Sequence, residues 1–397
     1  MKKDWEIKKL KDICEKGSSN VNMKDLLNLG GNYPIYGASG FIQNVNFYHQ
    51  EKEYIGIIKD GSGIGRTMLL PAKSSVIGTL QYILPKEGNS IHFINYALQS
   101  LDLSKYKQGA AIPHIYFRDY GETELVVPPL EEQKRIVKIL DEKFAHLETI
   151  KTNAQTNLQN AKDLFQSQLT KAFMEESNPS TCEEGGASLQ TSHLPQHALK
   201  WEKKRLGDCT SIIGDGLHGT PKYDENGNYY FINGSNLTIT DIVFTPETKR
   251  VNETEYQKYK VELNENTVFL SINGSTLGKR TAFYNNEPVI LGKSACYINV
   301  KSNTLNKYFL RHFLSSDIFQ EYAWKEKTGA AIPNLGLKAM RDLKIPLPPL
   351  PEQKRIVKEL DTLSEKVRQL QEIYTKQIAD CDELKQSLLQ KAFTGEL

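Results

Sequence analysis

LEEQKRIVKILDEKFAHLETI, starting at Leu130, and LPEQKRIVKELDTLSEKVRQL, starting at Leu350, are two versions of one stretch set 220 positions apart. The register persists to TKAF at Thr170–Phe173 and QKAF at Gln390–Phe393. Upstream it aligns GAAIPH (Gly109–His114) with GAAIPN (Gly329–Asn334), and Val127-Pro128-Pro129 with Leu347-Pro348-Pro349. One offset held over all these segments is a tandem duplication. The chain therefore reads as two variable blocks attached to two repeated ones.

Each repeated stretch predicts a long helix. In the second copy Ile356, Leu360, Leu363, Val367, Leu370, Tyr374, Gln377, Cys381, Leu384 and Leu388 alternate in steps of four and three. That is a heptad seam of about five heptads. The first copy gives a looser stripe: Ile136, Leu140, Phe144, Leu147, Ile150, Ala154, Leu158, Ala161, Phe165 and Leu169. Both follow a Pro-Pro pair, which a helix tolerates only at its start. Glu131, Glu132 and Glu352 fall in the first turn, at the positive end of the helix dipole. Gly395 is placed to cap the second helix. About 43 residues at 1.5 Å each span roughly 65 Å. An apolar stripe of that length must be buried, most economically by the two repeats packing antiparallel.

Composition allows two domains plus connecting helices in 397 residues. Lys and Arg total 50 against 48 acidic residues, so a nucleic-acid surface would need its basic groups concentrated locally. No apolar run approaches a membrane span and no cleavable signal follows MKKDWEIKKL, so a soluble cytoplasmic protein is expected. The five cysteines are scattered and form no CxxC pair, against a disulfide framework or zinc ribbon. His193 and His197 have helical ligand spacing but sit in a Pro/Gly/Ser-rich stretch, and no metal site is expected there.

Taken in order, residues 1–129 form the first globular block, 130–174 the central long helix, 175–200 an exposed connector, 201–349 the second block and 350–397 the C-terminal long helix. WEIKKLKDIC opens the first block and WEKKRLGDC the second. In both, β-branched and aromatic runs are broken by glycine: YIGIIKDGSGIGRTMLL at Tyr54–Leu70 and TVFLSINGSTLGKRTAFY at Thr267–Tyr284. These are strands and turns. Ile91–Leu103 and Leu305–Trp324 have helical spacing and occupy corresponding places. The fold class is mixed α/β (α+β): two globular domains separated by two long helices that pair as an antiparallel coiled coil, with an internal pseudo-two-fold repeat.

Catalytic signatures are missing. GSTLGK is one residue short of a phosphate-binding P-loop and has strand-like flanks. VPPL and LPPL have the prolines of an adenine methyltransferase motif but neither the amide or carboxylate before them nor the aromatic after them. No GxGxxG joins a strand to a helix, and no nucleophile elbow occurs. The glycine loops DGSGIGRT (Asp60–Thr67) and NGSTLGKRT (Asn273–Thr281) read either as tight hairpins or as loops offering polar groups to DNA.

The doubled PPL-x-EQKRIV openings, the TKAF/QKAF closings and the GAAIP repeats resemble the specificity subunit of Type I restriction-modification enzymes. YPIYGASG at Tyr33–Gly40 and DGLHGTPKY at Asp215–Tyr223 are similar to different target-recognition domains of that family. The resemblance covers essentially the whole chain. It implies two target-recognition domains, each reading one half of a bipartite, asymmetric double-stranded DNA site. It also implies helices that fix the spacing and dock two modification (methyltransferase) subunits, with restriction (motor-nuclease) subunits joining the complex. The chain would be non-catalytic and carry no cofactor; S-adenosylmethionine, ATP and Mg would reside on the partners. A rod of roughly 65 Å limits the anchor points to about 19 base pairs.

Residue type and turn position select the DNA-contacting candidates: Tyr36, Ser39, Lys59, Ser62 and Arg66 in the first domain, and His218, Thr220, Lys222, Asn236, Asn273, Ser275, Lys279 and Arg280 in the second. Gln133, Arg135, Gln353 and Arg355 are candidates for partner contacts or, equally, polar caps on a structural seam. The rival reading is a tandem-repeat coiled-coil scaffold that binds protein partners without touching DNA. An enzyme assembled from distant residues is a further alternative without a cofactor motif to support it.

Overall fold

The computed structural model describes residues 4–27, 29–61, 63–109, 113–174 and 201–397; the expected connector 175–200 and Ser62 lie outside them. The chain forms two compact units, Met1–Asn157 with Ile373–Leu397, and Leu158–Glu372. Each unit joins one globular block to a stretch of both long helices, so the unit boundary passes through the helices instead of between blocks and helices.

In the first unit, β1 (Glu6–Lys9) precedes β2 (Cys14–Ser18), β3 (Tyr33–Gly37), β4 (Gly40–Val45), β5 (Tyr54–Ile58), β6 (Thr67–Leu70), β7 (Ser75–Val76), β8 (Leu80–Pro85) and β9 (Glu124–Val127). They build an antiparallel sheet in the order β2-β8-β5-β6, a small sheet β4-β3-β7 with β3 and β7 parallel, and the ribbon β1-β9. All five residues of β5, Tyr-Ile-Gly-Ile-Ile, are buried, the continuous run expected of a strand covered on both faces.

The second unit repeats this plan. Its strands are β10 (Lys203–Arg205), β11 (Thr210–Asp215), β12 (Tyr229–Ile232), β13 (Arg250–Val251), β14 (Thr267–Ser271), β15 (Thr281–Phe283), β16 (Val289–Leu291), β17 (Ala295–Val300) and β18 (Lys344–Pro346). The sheets are β11-β17-β14-β15, β13-β12-β16 and β10-β18, strand for strand the order of the first unit. One packing detail is copied too. Gly17 faces Tyr82 across the β2–β8 pair and Gly214 faces Tyr297 across β11–β17; a Cβ on either glycine would fall within 2.6 Å of the ring.

The long helices run over Leu130–Lys171 and Leu350–Thr394. Gly395 has φ of 84°, and the Glu396 N–H reaches the Lys391 carbonyl at 2.9 Å, the C-cap expected from sequence. In the first unit Ile136 and Leu140 from the start of the central helix share one core with Leu389 and Ala392 from the end of the C-terminal helix. Lys151 pairs with Asp382 at 2.6 Å and Arg135 donates to the Leu397 carbonyl at 2.9 Å. Numbers rise along one helix as they fall along the other, so the helices are antiparallel here. Phe393 of the QKAF closing packs on Phe93 with ring centroids 5.1 Å apart. In the second unit the roles exchange: Ile356 and Leu360 share a core with Leu169 and Phe173, and Phe173 packs on Phe309 and Phe313 at 5.1 and 5.3 Å.

Several expectations need correction. Leu370 and Leu384 are 38% and 49% exposed, Gln377 is exposed, and Ile150 is 41% exposed. The inward places one residue later hold the half-buried Gln371, Ile378, Lys385 and Lys151. Three of these four seam places are polar, with Ile378 the exception, and hydrophobicity alone selected the neighbouring column. Leu305–Trp324 is two helices, Lys307–Leu314 and Asp317–Glu326, because the buried Ser316 accepts from the Phe319 N–H and starts the second. Ile91–Leu103 is helical only to Gln99.

Candidate nucleic-acid interface

The glycine loops are hairpin connections between paired strands, and each is buttressed by a GAAIP repeat. In the first unit the β5–β6 loop is joined by hydrogen bonds from the Gly61 N–H to the Pro113 carbonyl (3.1 Å) and from the Ile115 N–H to the Lys59 carbonyl (3.0 Å). In the second, the β14–β15 loop makes the same two bonds: Gly274 to Pro333 (2.9 Å) and Leu335 to Ile272 (2.9 Å). The second GAAIP segment is itself a hairpin, closed by the Thr328–Asn334 bridge, and the Gln108–His114 bridge stands at the equivalent place in the first unit. Gly61, Gly65 and Gly109, and their counterparts Gly274, Gly278 and Gly329, all have positive φ. That backbone conformation strains any residue with a Cβ, which is why glycine recurs there.

In the first unit, Lys59 donates its N–H to the Thr79 carbonyl at 3.1 Å and the Tyr36 carbonyl accepts from Ile77 at 2.9 Å. One turn, residues 77–79, therefore braces the ends of β3 and β5 that carry two candidates. Asp60 contacts the His114 ring, tying the loop to the GAAIP repeat. Arg66 and Ser39 are exposed on their turns.

In the second unit the candidates lie on a connected set of loops. Leu217 is bonded to Leu291 and Lys293, Gly234 donates to the Ser294 hydroxyl, and Ile272 donates to the Ser294 carbonyl. This brings together the segments bearing His218, Asn236 and Asn273. His218, held at 2.7 Å from Asp215, is exposed, as are Thr220, Lys222, Ser275 and Lys279. Lys222 uses its backbone N–H on buried Glu255 (3.0 Å) and leaves its ammonium outward.

Two candidates are consumed inside the fold. Asn236 accepts from the Asn233 N–H at 2.9 Å and donates to Val243 and Thr248, so its amide locks a turn. Arg280 donates to the Ser235 carbonyl at 2.8 Å and ties two loops together. Sequence reasoning also passed over Lys107 and Lys327, exposed at the start of the GAAIP repeats, and exposed Lys293. The repeat would have disclosed the first two, since they stand 220 positions apart like the rest.

The helix-motif residues separate sharply. Gln133 is 1% and Gln353 0% exposed. Gln133 accepts from the Ser90 N–H at 2.8 Å and donates to the Pro128 carbonyl at 2.9 Å; Gln353 makes the equivalent bonds to Asn306 and Pro348, both 2.8 Å. These glutamines fasten the long helix to its own globule, and burial removes them as partner contacts. Arg135 and Arg355 are more accessible, each paired with the glutamate three residues before it. The Glu352 partner holds the Arg355 guanidinium above its ordinary range.

The motif's LD aspartates dock the globular helices. Asp141 accepts from the Tyr96 hydroxyl at 2.5 Å, and Asp361 accepts from Arg311 and His312 at 3.0 and 2.8 Å. Burial pushes the Cys14 thiol up to about 12. Among the described residues no group of three or more His, Cys, Asp or Glu is placed to hold a metal, and no helix is long and apolar enough to cross a membrane.

Two loop-bearing globules of one topology, each followed by the same helix, match a known pattern. The family model described as the Type I restriction modification DNA specificity domain fits residues 2–159 and again 199–377. The chain belongs to that family. Among its relatives is the Type I restriction enzyme MjaVIII specificity subunit of Methanocaldococcus jannaschii, 24% identical over 99% of this chain and 93% of the relative. The MjaIX specificity subunit of the same organism is 25% identical over 100% and 94%. The fold is that of a chain solved in work on complex assembly and conformational transition of the type I R-M system, with TM-score 0.74 and 20% identity over 100% of this chain and 99% of the other. It is shared with the HsdS subunit from Thermoanaerobacter tengcongensis, with TM-score 0.55 and 19% identity over 100% and 98%. The two family domains each contain one of the loop clusters described above.

Proposed function

We propose that this chain is a non-catalytic specificity subunit whose two domains each read one half of a bipartite, asymmetric DNA site. One observation carries the reading: the two units share loop scaffold and strand order, yet the exposed side chains on those loops differ. The glycine loops keep related residues at aligned places in sequence, Ser62 with Ser275 and Arg66 with Lys279, but the short β3–β4 turn carries exposed Ser39 whereas β12 and β13 are joined by residues 233–249, and exposed His218 and Lys222 stand between β11 and β12. Equal frames with unequal surfaces suit two half-sites of different sequence, read from loops in the major groove. The working candidates are Tyr36, Ser39, Lys59, Ser62 and Arg66 in one domain and His218, Thr220, Lys222, Asn273, Ser275 and Lys279 in the other; Asn236 and Arg280 support them.

In this reading the long helices set the spacer and dock two methyltransferase subunits, to which a motor-nuclease subunit adds. S-adenosylmethionine, ATP and Mg belong to those partners. The apolar residues left outward on the helices support docking, because they recur at repeat-equivalent positions: Ile150 and Leu370 are 41% and 38% exposed, and Leu164 and Leu384 are 52% and 49% exposed. Two equivalent patches suit two copies of one partner, with Arg135 and Arg355 as polar contacts nearby in sequence.

The test is base-resolved mapping of adenine methylation on a random DNA library, with the chain co-expressed with its cognate methyltransferase. A bipartite motif with a fixed gap is expected, and exchanging residues 1–129 for another module should alter one half only. Methylation that ignores sequence, or proceeds without this chain, would leave the protein-scaffold reading in its place.

A further inference from the structure

We propose that the K-x-G-A-A-I-P motif, folded as a hairpin at Lys327–Pro333 and repeated in sequence at 107–113, is a sequence-independent DNA-backbone contact carried once by each domain. The proposal rests on the reading of the domains as DNA-binding and adds a second kind of contact to it. The fold accounts for part of this motif only. Gly329 is required by its φ of 82° and by the Ile332 carbonyl, which a Cβ would meet at 2.4 Å; the Pro333 carbonyl accepts from Gly274. Lys327, Ala330, Ala331 and Ile332 are all exposed, Ile332 by 65%, so core packing does not explain them in the second copy, and the same residue types recur in sequence at 107 and 110–112.

Residues that read different half-sites diverge between the domains, whereas this motif has not. Its target must be common to both half-sites, and the sugar–phosphate backbone is common to every DNA sequence. The chemistry fits. Lys107 and Lys327 place an ammonium at the start of the motif, and Lys327 is steadied 3.9 Å over the Trp324 ring. Two alanines let main chain approach a phosphate closely, and the isoleucine offers an apolar surface to the sugar. The hairpin is bonded to the glycine loop that carries the half-site candidates, so one approach to DNA engages both.

The experiment uses the full chain assembled with its methyltransferase and carrying Lys107→Gln with Lys327→Gln. Affinity is measured for a duplex containing the methylated motif and for a scrambled duplex across a salt series. Both affinities should fall by the same factor, and the slope of log affinity against log salt should become shallower by about 2. Lys107→Arg with Lys327→Arg should restore both. Ala331→Glu, at an exposed position, should weaken both duplexes equally with an unchanged melting temperature. A change in the ratio between the duplexes would make the hairpin a base reader and overturn the proposal. So would an unchanged salt slope, or intact DNA binding with loss of methyltransferase co-elution. A wild-type complex that binds neither duplex defeats the functional reading before any variant is compared, and this proposal with it.

Discussion

The side-chain oxygen of Gln353 accepts the backbone N–H of Asn306 at 2.8 Å, clamping the first turn of the C-terminal helix onto the start of a globular helix. Its amide donates to the Pro348 and Thr304 carbonyls at 2.8 and 3.0 Å. Gln353→Leu keeps the volume and strands these buried backbone groups, with an expected loss on the order of 2–4 kcal/mol. Gln133→Leu should act alike on the first unit. Urea unfolding of each variant checks this; a neutral result would mean that water replaces the amide.

The corrected seam separates neighbouring positions. Ala154 is 2% exposed whereas Ile150 is 41% exposed. Ala154→Leu overfills the helix contact and should cost about 1–3 kcal/mol. Ile150→Gln should leave thermal stability unchanged while weakening co-purification with the methyltransferase. The opposite ranking by calorimetry would restore the seam drawn from hydrophobicity alone.

The docking of the second domain on its helix should be sensitive to acid. Burial holds the His312 imidazole below its ordinary value of about 6.5, against the pull of Asp361. The hydrogen bond from His312 holds the Asp361 carboxyl below its usual range. Both shifts are downward, so each contribution is complete above the unfolded-state value and is lost as pH falls through the lowered folded value. Stability should drop below about pH 6.5 as His312 must be charged, and again below about pH 4 as Asp361 is protonated. His312→Gln should remove the first step and keep the second, read as the urea midpoint against pH.

Among the loop candidates, exposed and engaged residues should part company. Lys279→Gln, at an exposed side chain, should weaken DNA binding through the second domain and leave the melting temperature unchanged. Asn236→Ala removes bonds to Asn233, Val243 and Thr248 and should lower the melting temperature as well. Thermal melts paired with binding assays distinguish the two.

The sequence alone was sufficient for the duplication, the two long helices, their Pro-Pro starts and the Gly395 cap. Each is a local or periodic signal: a fixed offset, a heptad period, a conformation only glycine adopts readily. The family followed from the same repeat, because EQKRIVK occurs twice in one register. Tertiary structure decided what periodicity cannot. It exchanged Leu370 and Leu384 for Gln371 and Lys385 at the seam, since a helix contact is set by which column fits its partner, and small or amphipathic side chains fit there. It decided between the two roles open to Gln133 and Gln353 and placed them inside as caps, because their acceptors are carbonyls beside a Pro-Pro pair and their donors are N–H groups at helix starts some 45 residues away in sequence. It also divided the loop candidates into exposed groups and structural ties, which depends on contacts between segments that no local pattern encodes.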